Sequence, residues 1–285
     1  MNKGRTIALI GDSGSGKTTQ AGEYAKYVFK TRQERTLYYG VDAGGYDAIE
    51  HLCELGIVTP INFTSKDDPW IWSEAAVSGQ HLSDIENPGV VVYDSGSSLG
   101  ELLLNSCGKM AAQGQEIGGR KAPGFRIKTP SGEQIRFGSN SDSHYFVVQN
   151  HMRDMINRST WLTEQGVDVI WTFALDRGER PDQTPILGPL VVGHALTKSV
   201  ARWFKYTFPL VTVTVPGGVP RHLMHIQEQP DAVGLSTMVS NARYPIDAPT
   251  PLPTTIEPAS ISEAIELIER GKAEAKVAVQ QELGL

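Results

Sequence analysis

An α/β fold, with a mainly parallel sheet flanked by helices, is what this sequence predicts, and three stretches predict it. Ile7-Ala8-Leu9-Ile10 is an apolar run that ends in Gly11-Asp12-Ser13-Gly14-Ser15-Gly16-Lys17-Thr18 and passes directly into a helical pattern from Gln20 to Phe29. Val90-Val91-Val92-Tyr93 is a second continuous apolar run, closed by Asp94, and Val167–Ala174, mostly apolar around Asp168 and Thr172, is a further strand. Strands that are apolar throughout, rather than in alternation, are buried on both faces, as in parallel sheets covered by helices.

The first stretch is G-x-x-x-x-G-K-T in the setting that a phosphate-binding loop requires. The strand delivers the chain to the carboxyl edge of the sheet. Gly11, Gly14 and Gly16 let backbone N–H groups converge, and the new helix presents its positive end to them. Lys17 is expected to reach the β- and γ-phosphates and the Thr18 hydroxyl to sit on Mg²⁺, with Asp12, Ser13, Ser15 and Thr19 completing the cradle. A Gly/Ser-rich turn with a chance lysine would seldom match every fixed position and both flanks. The loop implies a nucleoside triphosphate, ATP with Mg²⁺. Asp94 is the matching acid: at the end of a buried strand it would lie beside the loop and hold the metal's hydration shell. Taken alone, it would read as a turn cap.

In chain order, Arg5–Ile10 is the first strand and Leu37–Val41 the second, ending at Asp42. Ala43-Gly44-Gly45 is a turn, Tyr46–Leu55 a short helix and Ile57–Phe63 a third strand. Asp67-Asp68-Pro69 opens a helix, with proline in its first turn. Its Trp70 and Trp72 could stack on a base, though such pairs more often belong to the core. Tyr145–Gln165 is an amphipathic helix, Arg177–Pro189 a charged Pro/Gly-rich loop, and His194–Phe204 a helix. Leu210–Val215 and His222–Ile226 form a hairpin, with His222 and His225 on opposite faces and so unable to share a metal. The strand Val167–Ala174 is expected to insert between the other two signal strands and to present a polar sensor, Thr172 or Asp176. Expected boundaries are a domain over 1–247 with an insertion at about 108–143, a stiff proline linker over 248–259 and a helix over 260–285. Gly271 weakens that last helix by ~1 kcal/mol relative to Ala.

Composition narrows the class. The chain has 285 residues, 40% hydrophobic and 20% charged, with a net charge of −6, which argues against a uniformly basic nucleic-acid binder. Cys53 and Cys107 are the only cysteines, so neither a disulfide scaffold nor a structural zinc site is expected. No apolar run reaches the ~20 residues that span a bilayer, and Met1-Asn2-Lys3 leads straight into the first strand, so a cytoplasmic protein without a leader is expected.

With these residues in view, the chain resembles the RecA-core ATPases that bacteriophages encode for single-strand annealing and recombination. The likeness is carried by Gly11–Thr18, Val41–Gly45, Val91–Ser95, Tyr145–Ile156 ahead of Val167–Ala174, Gly188–Leu196 and Asn241-Ala242-Arg243, and covers residues 5 to 245 in order. It implies a P-loop NTPase with a RecA-like sheet, ATP hydrolysis in a homo-oligomeric ring or filament, and a late arginine, Arg243, acting in trans on the transferred phosphoryl group. RecA-like ATPases also carry a glutamate just past the second strand to orient the attacking water. Here Gly44 falls at that position, so Asp42 is the favoured carboxylate and Glu101 a remoter one.

Lys109–Phe137 carries six basic residues (Lys109, Arg120, Lys121, Arg126, Lys128, Arg136) against Glu116 and Glu133, a local balance of +4 in an acidic chain. Phe125–Phe137 reads as a hairpin about Pro130-Ser131-Gly132. Basic residues interleaved with aromatics suit single-stranded DNA, which makes Arg120, Lys121, Arg126, Lys128 and Arg136 the candidate contacts. A solvated hairpin is the plain alternative. At the level of function two other classes stand beside a DNA-directed ATPase. One is a phosphotransferase, with Arg177 and Arg180 on a lid. The other is a nucleotide-locked scaffold that does not hydrolyse.

Overall fold

In chain order the strands are β1 (Thr6–Ile10), β2 (Arg35–Gly40), β3 (Val58–Asn62), β4 (Pro88–Asp94), β5 (Glu116–Ile117), β6 (Arg120–Lys121), β7 (Gly124–Lys128), β8 (Gln134–Gly138), β9 (Asp168–Phe173), β10 (Leu175–Glu179), β11 (Pro185–Pro189), β12 (Tyr206–Val213), β13 (Arg221–His225), β14 (Gln229–Pro230), β15 (Thr237–Met238) and β16 (Thr255–Ile256). The helices are α1 (Lys17–Arg32), α2 (Glu50–Glu54), α3 (Pro69–Ser78), α4 (Gly96–Ala112), α5 (Asp142–Ser159), α6 (Trp161–Glu164) and α7 (Ile261–Leu283). The computed structural model describes residues 4–42, 44–112, 116–117, 120–121, 124–128, 134–138, 142–179, 185–192, 200–214, 218–230, 237–245 and 248–283.

Eight strands form one sheet in the order β16-β13-β12-β1-β9-β4-β2-β3, parallel from β12 to β3 and antiparallel at β13 and β16. β9 lies between the strand of the phosphate loop and the strand of Asp94, as the sequence predicts. That insertion makes the fold an α/β P-loop fold of the RecA-like kind, with every parallel strand delivering its carboxyl end to one edge, where ligands of such sheets bind.

Alternation along the strands splits the core between the two faces of the sheet. Ile7 and Leu9 pack on one face with Tyr24, Ala25 and Val28 of α1 and with Ile261, Ala264, Ile265 and Ile268 of α7. Ala8 faces the other way, toward Leu99 and Leu103 of α4 and Val148, Met152 and Met155 of α5. On that second face an aromatic ladder crosses the strands: Tyr39 stacks on Tyr93 at 5.3 Å and Tyr93 on Trp171 at 4.3 Å. Trp72 meets Tyr39 edge-on at 5.7 Å and Trp70 lies 4.9 Å from His151, so both tryptophans serve the core.

At the amino edge, Asp168 is fully buried and accepts from the Arg5 backbone N–H at 2.8 Å, the Tyr24 hydroxyl at 2.8 Å and Arg32 Nη2 at 3.1 Å. A carboxylate this deep persists only when paired and hydrogen-bonded, and these partners tie β9 to α1 and the start of β1.

Several elements differ from expectation. Where it is described, Arg177–Pro189 is strand rather than loop: β10 and β11 pair antiparallel, Arg177 opposite Leu187, within a second, four-stranded sheet, and residues 180–184 lie outside the described residues. Its charged, half-exposed residues hide the strand because an edge hairpin needs no regular apolar face. The strand expected from Leu210 begins at Tyr206: residues 206–209 run parallel to β1, and Leu210–Val213 then pair with β13. Pro209 falls at the changeover, a place where a missing N–H is tolerated. The helix expected from Tyr145 begins at Asp142, ends at Ser159 and resumes as α6. Of His194–Phe204, residues 193–199 lie outside the described residues and Val200–Trp203 is a 3₁₀ turn. β7 and β8 form the expected hairpin, with Phe125 opposite Phe137 and Arg126 opposite Arg136, while its turn lies outside the described residues. Among the described residues no helix is long and apolar enough to cross a membrane.

Candidate nucleotide site

Gly14 and Gly16 take the left-handed conformation, at φ 76° and 92°, which only glycine adopts without cost. This coils the backbone into a cradle immediately before α1. Gly16 is the helix N-cap, no side chain bonds back to the first turn, and that turn holds no acidic residue. Its free N–H groups therefore face the cradle unopposed and favour an anion. Lys17 Nζ donates to the Gly11 and Asp12 carbonyls at 2.7 and 2.9 Å. Burial pushes its ammonium down from the ordinary value, against the opposing pull of Asp94, Asp12 and Asp42. An incoming phosphate would exchange for the two carbonyls and strengthen the charge that burial weakens.

Asp94, at the end of β4, is only 5% exposed and is held by three hydroxyls. Thr18 Oγ1 donates to its Oδ2 at 2.7 Å, Tyr38 donates to the same oxygen through a shorter bond, and Thr172 donates to Oδ1. Of the two sensor candidates, Thr172 is the one that meets Asp94; Asp176 lies on β10, opposite Gly188. Tyr38 escaped sequence reasoning, because an aromatic inside an apolar strand reads as core. Burial, then the charge of Asp94, push its phenol far up, so it stays a donor. A carboxylate and a threonine hydroxyl 2.7 Å apart are the oxygen donors that a small hard dication takes, so the site fits Mg²⁺.

These groups open on a cavity of about 490 Å³ whose lining includes Gly14, Lys17, Thr18, Asp42, Asp94, Glu101 and His222. Both candidate carboxylates thus reach the same space. Asp42 is exposed, and the preceding Val41 N–H is fixed to the Asp94 carbonyl at 2.7 Å. Gly44 sits at φ 72°, a left-handed conformation that favours glycine.

Other sequence candidates lie elsewhere. Arg243 is at the opposite edge: it follows Asn241, which bridges Thr207 early in β12, and its Nη2 donates to the Arg202 carbonyl at 3.3 Å. It lines a separate cavity of about 530 Å³ and does not approach the loop of its own chain. Arg120 and Lys121 form β6, Arg126 and Lys128 lie on β7 and Arg136 on β8, with their side chains outside what is described. Arg177 lies on β10, while Ala43, Arg180 and residues 193–196 fall outside the described residues. Ser73 Oγ lies 2.8 Å from His151 Nε2, whose Nδ1 is 3.8 Å from Glu74. The serine is fully buried, with its hydroxyl also 2.9 Å from the Trp70 carbonyl, so no substrate reaches it in this structure. Among the described residues no cluster of His, Cys, Asp and Glu suits a metal held by protein alone.

No family model matches the chain, and no curated protein matches its sequence. Among solved structures it is similar to the flagellar accessory protein FlaH from Methanocaldococcus jannaschii, at 12% identity and TM-score 0.44 over 79% of this chain and 78% of that one. It is also similar to a KaiC-like protein from the hyperthermophilic archaeon Pyrococcus horikoshii, at 12% identity and TM-score 0.42 over 80% and 81% of the two chains. The fold assignment stands on the strand order and the loop.

Proposed function

We propose that the chain binds Mg²⁺·ATP in this cradle and hydrolyses it, as a RecA-like ATPase of the phage recombination or annealing kind, assembled as a ring or filament on single-stranded DNA. The observation that carries the nucleotide assignment is Asp94, fixed by three hydroxyls, 2.7 Å from the Thr18 hydroxyl at the mouth of an uncapped helix. Lys17 holds the β- and γ-phosphates. Thr18 and Asp94 hold Mg²⁺, which when bound offsets phosphate charge. Asp42, whose charge acts on Lys17 in the same cavity, orients the attacking water. Arg243, remote from its own loop, acts only on a neighbour's nucleotide.

Support for DNA is the charge of the 109–137 segment and the register of its hairpin. That register sets Arg126 opposite Arg136 along β7 and β8. A second reading, a nucleotide-locked scaffold, is favoured by one observation: Gly44, held at φ 72° in its turn, stands where RecA-like ATPases carry the glutamate.

The test is phosphate release from ATP by the wild type and Lys17→Ala, with and without a single-stranded oligonucleotide. We expect DNA-stimulated release that falls about a hundredfold or more in the variant. Release indifferent to DNA removes the DNA partner, no release favours the scaffold, and phosphate on an acceptor other than water favours a phosphotransferase.

A further inference from the structure

The strand order gives the cradle two unlike sides. β9 and β4 lie on one side of β1 and bring Thr172 and Asp94, the metal side; β12 and β13 lie on the other. A nucleotide whose terminal phosphates meet Asp94 must therefore send its nucleoside toward the β12–β13 hairpin. Two polar side chains of that hairpin stand over the loop. Thr212 and His222 face one another across the strand pair. Thr212 Oγ1 donates to the Gly14 carbonyl at 3.4 Å and lies 3.2 Å from His222 Nδ1. A Cβ placed on Gly16 would come 3.6 Å from the same nitrogen, so the imidazole lies against the loop itself.

Where the Thr212 proton goes to the Gly14 carbonyl, the 3.2 Å contact is made by Nδ1–H of His222. In that tautomer the lone pair of Nε2 is the ring's remaining acceptor, with no partner among the described residues. An acceptor suits a hydroxyl or amino hydrogen and not a phosphate oxygen. The backbone of His222 is also pinned from its far side, where its carbonyl accepts from the Ala259 N–H at 2.9 Å, so the ring is presented by a fixed strand.

Building on the nucleotide assignment above, we infer that His222 is the nucleoside contact of this site, its Nε2 accepting from a ribose hydroxyl or a base amino group while Thr212 holds the ring against the loop. The experiment is calorimetric titration with two probes in Mg²⁺, ATP and inorganic tripolyphosphate, which carries the phosphates without the nucleoside. His222→Ala should lose about five- to tenfold in ATP affinity, the worth of one such hydrogen bond. It should keep its tripolyphosphate affinity, which also shows that the loop is intact. Lys17→Ala should lose both probes. Equal losses for both in His222→Ala, or no loss for ATP, would overturn the inference. So would wild-type protein that binds both probes equally well. Wild-type protein that binds neither removes the nucleotide assignment itself.

Discussion

Tyr38 shows how a single side chain can be functional and illegible at once. Its ring is fully buried in β2 and its hydroxyl donates to Asp94 Oδ2, beside the bond from Thr18. Nothing in Leu37-Tyr38-Tyr39 separates it from its neighbour Tyr39, whose ring faces the opposite side and stacks in the aromatic ladder. Thr172 could be named beforehand because its strand was expected to insert between the other two and present its end to the loop, though a threonine there reads equally well as a plain strand residue; nothing of the kind singles out a tyrosine inside β2. Tyr38→Phe keeps the ring and its packing but leaves Asp94 one donor short. The Mg²⁺ concentration that half-saturates ATP turnover should rise by about tenfold, since a hydrogen bond to a charged group is worth roughly 1.5–3 kcal/mol. An unchanged Mg²⁺ titration would show that Tyr38 merely fills the core.

At the scale of elements, local sequence was a good guide wherever the signal was local. Asp68 caps α3 by accepting from the Trp70 and Ile71 N–H groups, and the proline that follows it begins the helix, as expected from Asp-Pro. β12 was legible only in its second half, because its first half is defined by a partner, β1, almost 200 residues away in the chain. Gly271 carries the sharper lesson. Helix propensity predicts that Gly271→Ala gains ~1 kcal/mol. In the structure a Cβ there would lie 2.0 Å from the Tyr244 hydroxyl and 2.3 Å from its ring, so α7 approaches Tyr244 through the space that glycine leaves. That hydroxyl is tied to the Thr250 carbonyl, which resists its retreat. α7 is also held by Glu269. Burial alone would push its carboxyl up, but hydrogen bonds from Tyr206 and Lys272 pull it down to about 2. Gly271→Ala should therefore destabilise, lowering Tm by about 3–8 °C through overpacking of roughly 1–3 kcal/mol. In a Tyr244→Ala background the same change should raise Tm. A gain in both backgrounds would mean that propensity governs and the contact yields.

For the whole molecule, charge separates what the sheet does from what the insertion does. A net charge of −6 repels a polyanion at long range, so the proposed binding to single-stranded DNA has to be local. The local excess of +4 lies in the segment that holds the β7–β8 hairpin, which is not part of the eight-stranded sheet. The sheet could be foreseen from strands that are apolar over most of their length, because burial on both faces leaves its mark in nearly every residue. The hairpin segment shows mainly its charges in the sequence, and these fit a solvated insertion equally well. Salt distinguishes the two. Each phosphate neutralised on a single strand adds about 0.7 to the slope of log affinity against log salt concentration. Arg126→Gln with Arg136→Gln should therefore make that slope shallower by about 0.7 per arginine, read by oligonucleotide anisotropy across a salt series. The DNA-stimulated rate of ATP turnover should fall toward the DNA-free rate in parallel. A weaker affinity with an undiminished slope would mean that the two arginines shape the hairpin without touching phosphate. An unaltered affinity would leave the insertion as a solvated surface and send the search for the partner back to the sheet's carboxyl edge.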